Sequence, residues 1–282
     1  MGSAESRTIR VGHSPDSDDA FMFYALTHDR IDTGGLRFEH QLEDIETLNH
    51  RALAGELEVS AVSIHAFAYL ADRYALLASG ASMGDRYGPT LVAREPKSIE
   101  ELKGRAIAVP GKLTSAYLTL QLCLGKDVPV EVMPFDAILP AVKAGKVAAG
   151  LLIHEGQLYY GDRGLFKVLD LGQWWFEETA LPLPLGGNVV RKDLGDGLVR
   201  RIAELLKASI QYALAHRDEA LAYAFQYARD LDPKLADRFV GMYVNDWTVD
   251  YGPRGREAVR LLLGRGAEAG LVPGPFDIQF VG

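Results

Sequence analysis

A histidine and a carboxylate stand side by side at the end of an apolar run, Leu151-Leu152-Ile153-His154-Glu155-Gly156. An imidazole takes up a proton near neutral pH, and the carboxyl end of a buried strand is where α/β proteins gather their reactive groups. A zinc site is excluded locally, because His154-Glu155-Gly156-Gln157-Leu158 lacks the second histidine of the HExxH pattern. A serine triad is not expected. The residues alone leave two readings for His154, a general base or a hydrogen-bonded structural histidine. Neighbours on a strand face opposite sides, so adjacency does not by itself make Glu155 the partner of His154.

Three strand-to-helix turns offer further groups for the same cleft. Ser14-Pro15-Asp16-Ser17-Asp18-Asp19 precedes an apolar helix, so one of its side chains is expected to cap that helix and its acids to complement the helix dipole. Facing a cleft, these acids, Asp19 among them, would accept hydrogen bonds from substrate hydroxyls and would repel a ligand's carboxylate. The carboxylates leave a metal site open in principle, but the spacing matches no calcium loop and no metal ligand is assigned. Val109-Pro110-Gly111-Lys112-Leu113-Thr114-Ser115-Ala116 has the opposite character, a glycine, one cation and two hydroxyls before a helix start whose free N–H groups favour an anion. It is not a P-loop, since Leu113 follows the lysine. Thr114 or Ser115 as a plain N-cap is the compatible alternative. Ser60-Ala61-Val62-Ser63-Ile64-His65 ends another strand, which makes Ser63 a cleft candidate and leaves His65 between a structural and a catalytic role. Aromatic groups at Tyr159-Tyr160, Trp174-Trp175 and Tyr243, Asn245 and Trp247 could flank a planar ligand; core packing is the default for them.

These turns need elements that bring them together. Short β-like runs at 8–12, 36–41 and 59–63 alternate with helical patterns at 20–27 and 45–54, which predicts βα units around a largely parallel sheet. A second series follows: strand 106–109, helix 115–124, strand 130–134, helix 137–144 and strand 149–153. Ser98 with Glu101 three residues on predicts a capped short helix. The run 90–94 leaves the first series, the run from Leu181 returns to it, and helices are expected over 197–216, 218–229, 233–243 and 253–266. The expectation is an α/β protein of two lobes, a discontinuous one of 1–91 plus 187–282 and an inserted one of 92–186, with the ligand cleft between them.

Bulk properties agree with a globular protein. The chain has 282 residues, 48% hydrophobic and 24% charged, enough for two packed domains. A net charge of −8 and a pI near 5.4 argue against nucleic acid and anionic membranes as partners. The single cysteine, Cys123, cannot form an internal disulfide and reads as a small buried hydrophobe. Residues 1–10 are polar with no secretory apolar region, and no segment offers about 18 uninterrupted apolar residues. A cytoplasmic location is expected.

Several segments, in order along nearly the whole chain, carry a resemblance. They are Ser14-Pro15 with Asp19 and Phe21, Leu42-Glu43-Asp44-Ile45-Glu46-Thr47-Leu48-Asn49, Val109-Pro110-Gly111, Ile153-His154-Glu155, Asp170-Leu171-Gly172 and Leu181-Pro182-Leu183-Pro184-Leu185-Gly186. Together they resemble the menaquinone-biosynthesis enzymes of the futalosine pathway, and among these the 1,4-dihydroxy-6-naphthoate synthase family. The resemblance implies a type II fold like that of the periplasmic binding proteins. It also implies a lyase without a cofactor that opens cyclic dehypoxanthine futalosine, an aromatic carboxylate, with His154 as proton acceptor and Ala61, Val62, Ser63, Ser115 and Ala116 as substrate contacts. A monomer or weak homodimer is expected. Where that family usually reads Ser-Pro-Cys-Pro-Asn-Asp-Thr-Phe, this chain has Asp16, Ser17, Asp18, Asp19 and Ala20; a carboxylate replaces an amide and a hydroxyl is lost, which changes hydrogen-bond character at the cleft. Two other readings stand beside the lyase: a solute-binding protein of the same fold without chemistry, and the sister enzyme that dehydrates chorismate.

Overall fold

A computed structural model describes residues 7–228 and 232–282. The first series comprises β1 (Arg7–His13), α1 (Ser17–Thr27), β2 (Leu36–Leu42), α2 (Ile45–Ala54), β3 (Val59–Ser63), α3 (Ile64–Phe67), β4 (Tyr74–Leu77) and β5 (Ser82–Gly84). The second comprises β6 (Thr90–Ala93), β7 (Ile107–Val109), α4 (Ser115–Leu124), β8 (Val130–Val132), α5 (Phe135–Lys143), β9 (Ala149–Leu152), α6 (Gly156–Tyr159), β10 (Phe166–Asp170) and α7 (Leu171–Thr179). The chain returns through β11 (Leu183–Arg191) and continues as α8 (Asp196–Ala215), α9 (Arg217–Ala224), α10 (Pro233–Tyr243), α11 (Asp246–Val249), α12 (Gly252–Glu268) and β12 (Phe280–Val281).

Two sheets result, ordered β12-β4-β11-β3-β1-β2, with β5 beside β11, and β10-β6-β9-β7-β8. Both are mixed, not largely parallel as the alternation suggested. In the first sheet β1 runs parallel to β2 and β3, while β11 is antiparallel to β3, β4 and β5. In the second, β7 is parallel to β8 and β9, while β6 is antiparallel to β9 and β10. The crossings explain this. Strands β1, β3 and β9 run toward the cleft, whereas β6 and β11 enter their sheets from the cleft side and must run away from it. The local βα pattern carries no trace of that reversal.

Every residue of β3, β4, β6, β7 and β9 is buried, as strands covered on both faces require. Strand β2 lies at an edge and keeps no residue fully buried. Helix α1 carries Phe21, Met22, Phe23 and Tyr24 all buried, because α8, α9 and α10 close over it as well as the sheet. One buried cluster is continuous between lobes, running from Val62 and Leu76 through Leu91 and Ile107 to Trp175 and Leu262.

Smaller expectations shift. Residues 100–102 form a 3-10 turn around which the backbone N–H and hydroxyl of Ser98 both donate to Glu101 at 2.8 Å, so Ser98 donates rather than caps. Helix α9 ends at Ala224 and gives way to a 3-10 turn; Arg229, assigned to that helix from the sequence, and residues 1–6 lie outside the described residues. Cys123 is partly buried, and burial pushes its thiol up to about 11. Among the described residues no helix is long and apolar enough to cross a membrane.

Candidate active site

The strand ends that face across the lobes line a cleft open to solvent, about 760 Å³ of empty space counted out to its mouth. Its walls are the β1–α1 turn (Ser14, Asp16, Asp18, Asp19), the end of β3 (Ala61, Val62, Ser63), the start of α4 (Thr114, Ser115, Ala116), the exit of β9 (Ile153, His154, Gln157), β11 (Leu185 to Asn188) and α10 (Phe239, Tyr243). The eight residues expected as base or substrate contacts, His154, Ala61, Val62, Ser63, Ser115, Ala116, Thr114 and Asp19, lie on this one surface. Four separated strand-to-helix turns meet here because each follows a strand that runs toward the cleft.

His154 does not sit on the strand. The chain leaves β9 at Leu152, and His154 adopts a left-handed backbone with φ +56°, a conformation uncommon and costly for a non-glycine residue. The strand alternation weighed from sequence therefore does not govern the pair. The ring of His154 turns to the opposite lobe, where Nδ1 lies 3.1 Å from Oδ2 of Asp16, and Phe135 packs edge-on against it with centroids 4.7 Å apart. Glu155 is buried at the start of α6, and its carboxylate accepts from the Ser17 hydroxyl at 3.4 Å.

The acidic turn departs from expectation. Asp16 occupies the N-cap position of α1, yet no side chain caps that helix end. The carboxylate of Asp19 folds back on the Ser14 N–H at 2.6 Å. Burial first, and the neighbouring Asp18 second, hold Asp19 well above the usual carboxylate range. Burial, reinforced by the Asp16 carboxylate, pushes Asp18 up to about 7. Beneath the turn, His13 stacks on Phe23 and meets His40 at 3.1 Å; burial first, and His40 second, lower His13 to about 3.

The raised Asp18 has a stability consequence. Its folded value lies above the unfolded one, so its contribution is fully present below about pH 4 and is lost as pH rises through about 7. Asp18→Asn removes that penalty. The variant is expected to be more stable than the native protein at pH 8, on the order of 2 kcal/mol, and nearly equal to it at pH 4. Thermal midpoints of the two proteins across that range check this. The buried histidines, which lose stability in the acid direction, cancel in the comparison.

The loop before α4 was expected to receive an external anion. Instead Glu46, from α2 of the facing lobe, accepts the Leu113 N–H with both carboxylate oxygens at 3.2 Å, and a Cβ at Gly111 would run into that carboxylate. Lys112 points to solvent and is not part of the wall. Thr114 caps α4 by accepting from Tyr117 at 3.2 Å and donates to the Gly111 carbonyl. Ser115 donates to the Leu185 carbonyl and accepts from the His65 N–H. His65 is buried with Nδ1 on the Thr114 carbonyl at 3.1 Å, between the lobes and off the cavity wall. Ser63 accepts from Asn49 at 3.1 Å.

The structure divides the aromatic candidates and adds a wall residue, Asn188, that the sequence did not offer. Tyr243 faces the cavity and donates to Gln157 at 2.9 Å, whereas Tyr159, Tyr160, Trp174, Trp175 and Trp247 are not on the wall. Asn188 donates to the Gly80 carbonyl at 3.1 Å, and its Oδ1 is buried without a partner. The run Leu183-Pro184-Leu185-Gly186-Gly187-Asn188 carried the signal, but only as a returning strand. Gly80-Ala81-Ser82-Met83-Gly84 has the spacing of a nucleophile elbow. Ser82 opens β5 instead of a strand-to-helix turn, so the context of an elbow is absent.

Comparison with known proteins places this architecture. The menaquinone biosynthesis family matches residues 9–268. The 1,4-dihydroxy-6-naphthoate synthase of Thermus thermophilus is 45% identical over 268 residues, 95% of this chain and 97% of the relative. That of Streptomyces coelicolor is 39% identical over 280 residues, 97% and 98% of the two chains. A solved structure from Archaeoglobus fulgidus superposes with a TM-score of 0.91 at 48% identity, covering 95% of this chain and all of that one. The alkanesulfonate-binding protein of Xanthomonas axonopodis superposes with a TM-score of 0.71 at 13% identity over 96% of both chains, a likeness of fold alone.

Proposed function

Because this chain belongs to the menaquinone biosynthesis family, we propose that it is a cytoplasmic carbon–carbon lyase that opens cyclic dehypoxanthine futalosine and releases 1,4-dihydroxy-6-naphthoate, with His154 as general base. The observation that carries this reading is the placement of His154. Among the described residues it is the one histidine on the cavity wall, and its Nδ1 lies against a carboxylate while the ring borders the cavity.

In this reading the substrate lies between the β3 and α4 turns on one side and the acidic turn on the other. Its carboxylate belongs at the end with Ser63, Ser115 and Ala116, away from the three clustered acids Asp16, Asp18 and Asp19, where like-charge repulsion is greatest; the carboxylate at that end, Glu46, is already held by the Leu113 N–H. Ser63 accepts from Asn49, which leaves its own O–H to donate to a ligand. Its hydroxyl groups belong at the acidic turn, where Asp18 exchanges a proton near neutrality. Nε2 of His154 removes a proton, and formation of the aromatic ring supplies the driving force for the release that follows.

The purified protein is expected to convert cyclic dehypoxanthine futalosine to the naphthoate, detected by fluorescence and by mass. Tight binding of an organic acid without any product would establish a binding protein in its place, and turnover of chorismate would establish the sister dehydratase.

A further inference from the structure

We propose that Asp16 is the positioning residue of the cleft base. Its carboxylate holds the neutral His154 ring in the tautomer with the proton on Nδ1, so that Nε2 is presented as the acceptor. The kinetic side of this inference rests on the role of His154 proposed above.

The position of Asp16 in the chain offers it a cheaper use that it does not take. At the N-cap of an eleven-residue helix, an aspartate ordinarily accepts the first free backbone N–H groups. Here the cap bond is absent and the side chain, only 2% exposed, reaches across the cleft to His154 Nδ1 at 3.1 Å. Burying a carboxylate is costly unless it is paired, and its Oδ1 is buried without a hydrogen-bond partner. The pairing with His154 is therefore the compensation that the fold supplies. Asp19 accepts from the Ser14 N–H and Glu155 accepts from the Ser17 hydroxyl, while Asp18 is close enough to interact with both Asp16 and His154.

The histidine is arranged to match. Its left-handed backbone swings the ring off the strand direction, and the edge-on contact with Phe135 restrains its rotation. An unpaired imidazole in water divides its proton between the two nitrogens, and the hydrogen bond made by one nitrogen decides which carries it. A carboxylate oxygen 3.1 Å from Nδ1 attracts a proton to that nitrogen, which favours the Nδ1–H tautomer and frees Nε2. Asp16 stands on the turn after β1 and His154 on the exit of β9, strands of different sheets. The pair therefore bridges the two lobes.

The test combines two readouts on the intact protein. Ring ¹⁵N shifts of His154, assigned by subtraction in His154→Gln, are recorded for native protein, Asp16→Ala and Asp16→Asn at a pH where the ring is neutral. The kinetics of the same three proteins are measured with cyclic dehypoxanthine futalosine. The native ring is expected to carry its proton on Nδ1. In Asp16→Ala the proton moves largely to Nε2, and kcat falls roughly ten- to a hundredfold, a share of what a general base contributes, with KM little changed. Asp16→Asn keeps a carbonyl acceptor and the shape of the side chain; it is expected to retain the Nδ1 tautomer and recover part of kcat, which a fold defect would not do. An unchanged tautomer in Asp16→Ala overturns the proposal, as does a changed tautomer with undiminished kcat. Absence of turnover in the native protein removes the proposed function, while the tautomer measurement still decides the pair.

Discussion

Replacing His154 with asparagine is expected to lower kcat on cyclic dehypoxanthine futalosine by roughly 10²–10⁴-fold, the usual contribution of a positioned general base, with substrate affinity held within a few-fold. Asparagine is the informative choice because it tolerates the left-handed backbone that this position requires. Its amide also offers a donor to Asp16, so that carboxylate is not left buried and alone. His154 packs against Phe135 at the cavity edge and not within a core cluster, so the thermal midpoint should move little. A fall in kcat with binding preserved marks an interaction made in the transition state and not in the ground state. In His154→Ala, added imidazole is expected to restore part of the rate, since the cavity is open on one side. Turnover at the native rate in both variants would remove His154 from the chemistry and leave the family assignment standing.

The second large effect is structural. Trp175 has no exposed surface, donates its indole N–H to the Pro182 carbonyl at 3.1 Å, and lies beneath the Arg265 guanidinium at 5.3 Å. Trp175→Ala is expected to cost about 3–5 kcal/mol through lost burial and the cavity left behind. The Pro182 carbonyl also loses its donor, at further cost. Calorimetry should register a fall in midpoint of roughly 6–15 °C for a chain of this size. Trp175→Phe, which keeps most of the volume, should lose less than half of that. Affinity for substrate should hold at temperatures where the variant remains folded, because Trp175 is not on the cavity wall. A midpoint within 2 °C of native, or a selective loss of affinity, would return Trp175 to the ligand-flanking role that its sequence first admitted.

Much of the architecture was legible in advance. The α/β pattern, the two-lobed fold and the family rest on local apolar periodicity and on segments read in order, and the fold and sequence relatives agree with them. Helix 115–124 and helix 233–243 have the same limits in sequence and structure, because Thr114 and Asp232 cap them by local hydrogen bonds. The reversal of β6 and β11 was not legible, since strand direction depends on which side of a sheet the chain enters, a relation between distant segments.

At the cavity the same division holds. The sequence by itself determined that His154 ends an apolar strand and that three turns rich in hydroxyls and acids accompany it, because strand and cap preferences are local. Only the tertiary structure decided what each acid does. Asp16 reads as a helix cap and faces His154; Glu46 reads as part of an exposed helix and accepts the Leu113 N–H in the loop before α4. Their free energies depend on desolvation and on partners brought across the cleft by folding, and neither quantity is written in the few residues on either side of a carboxylate.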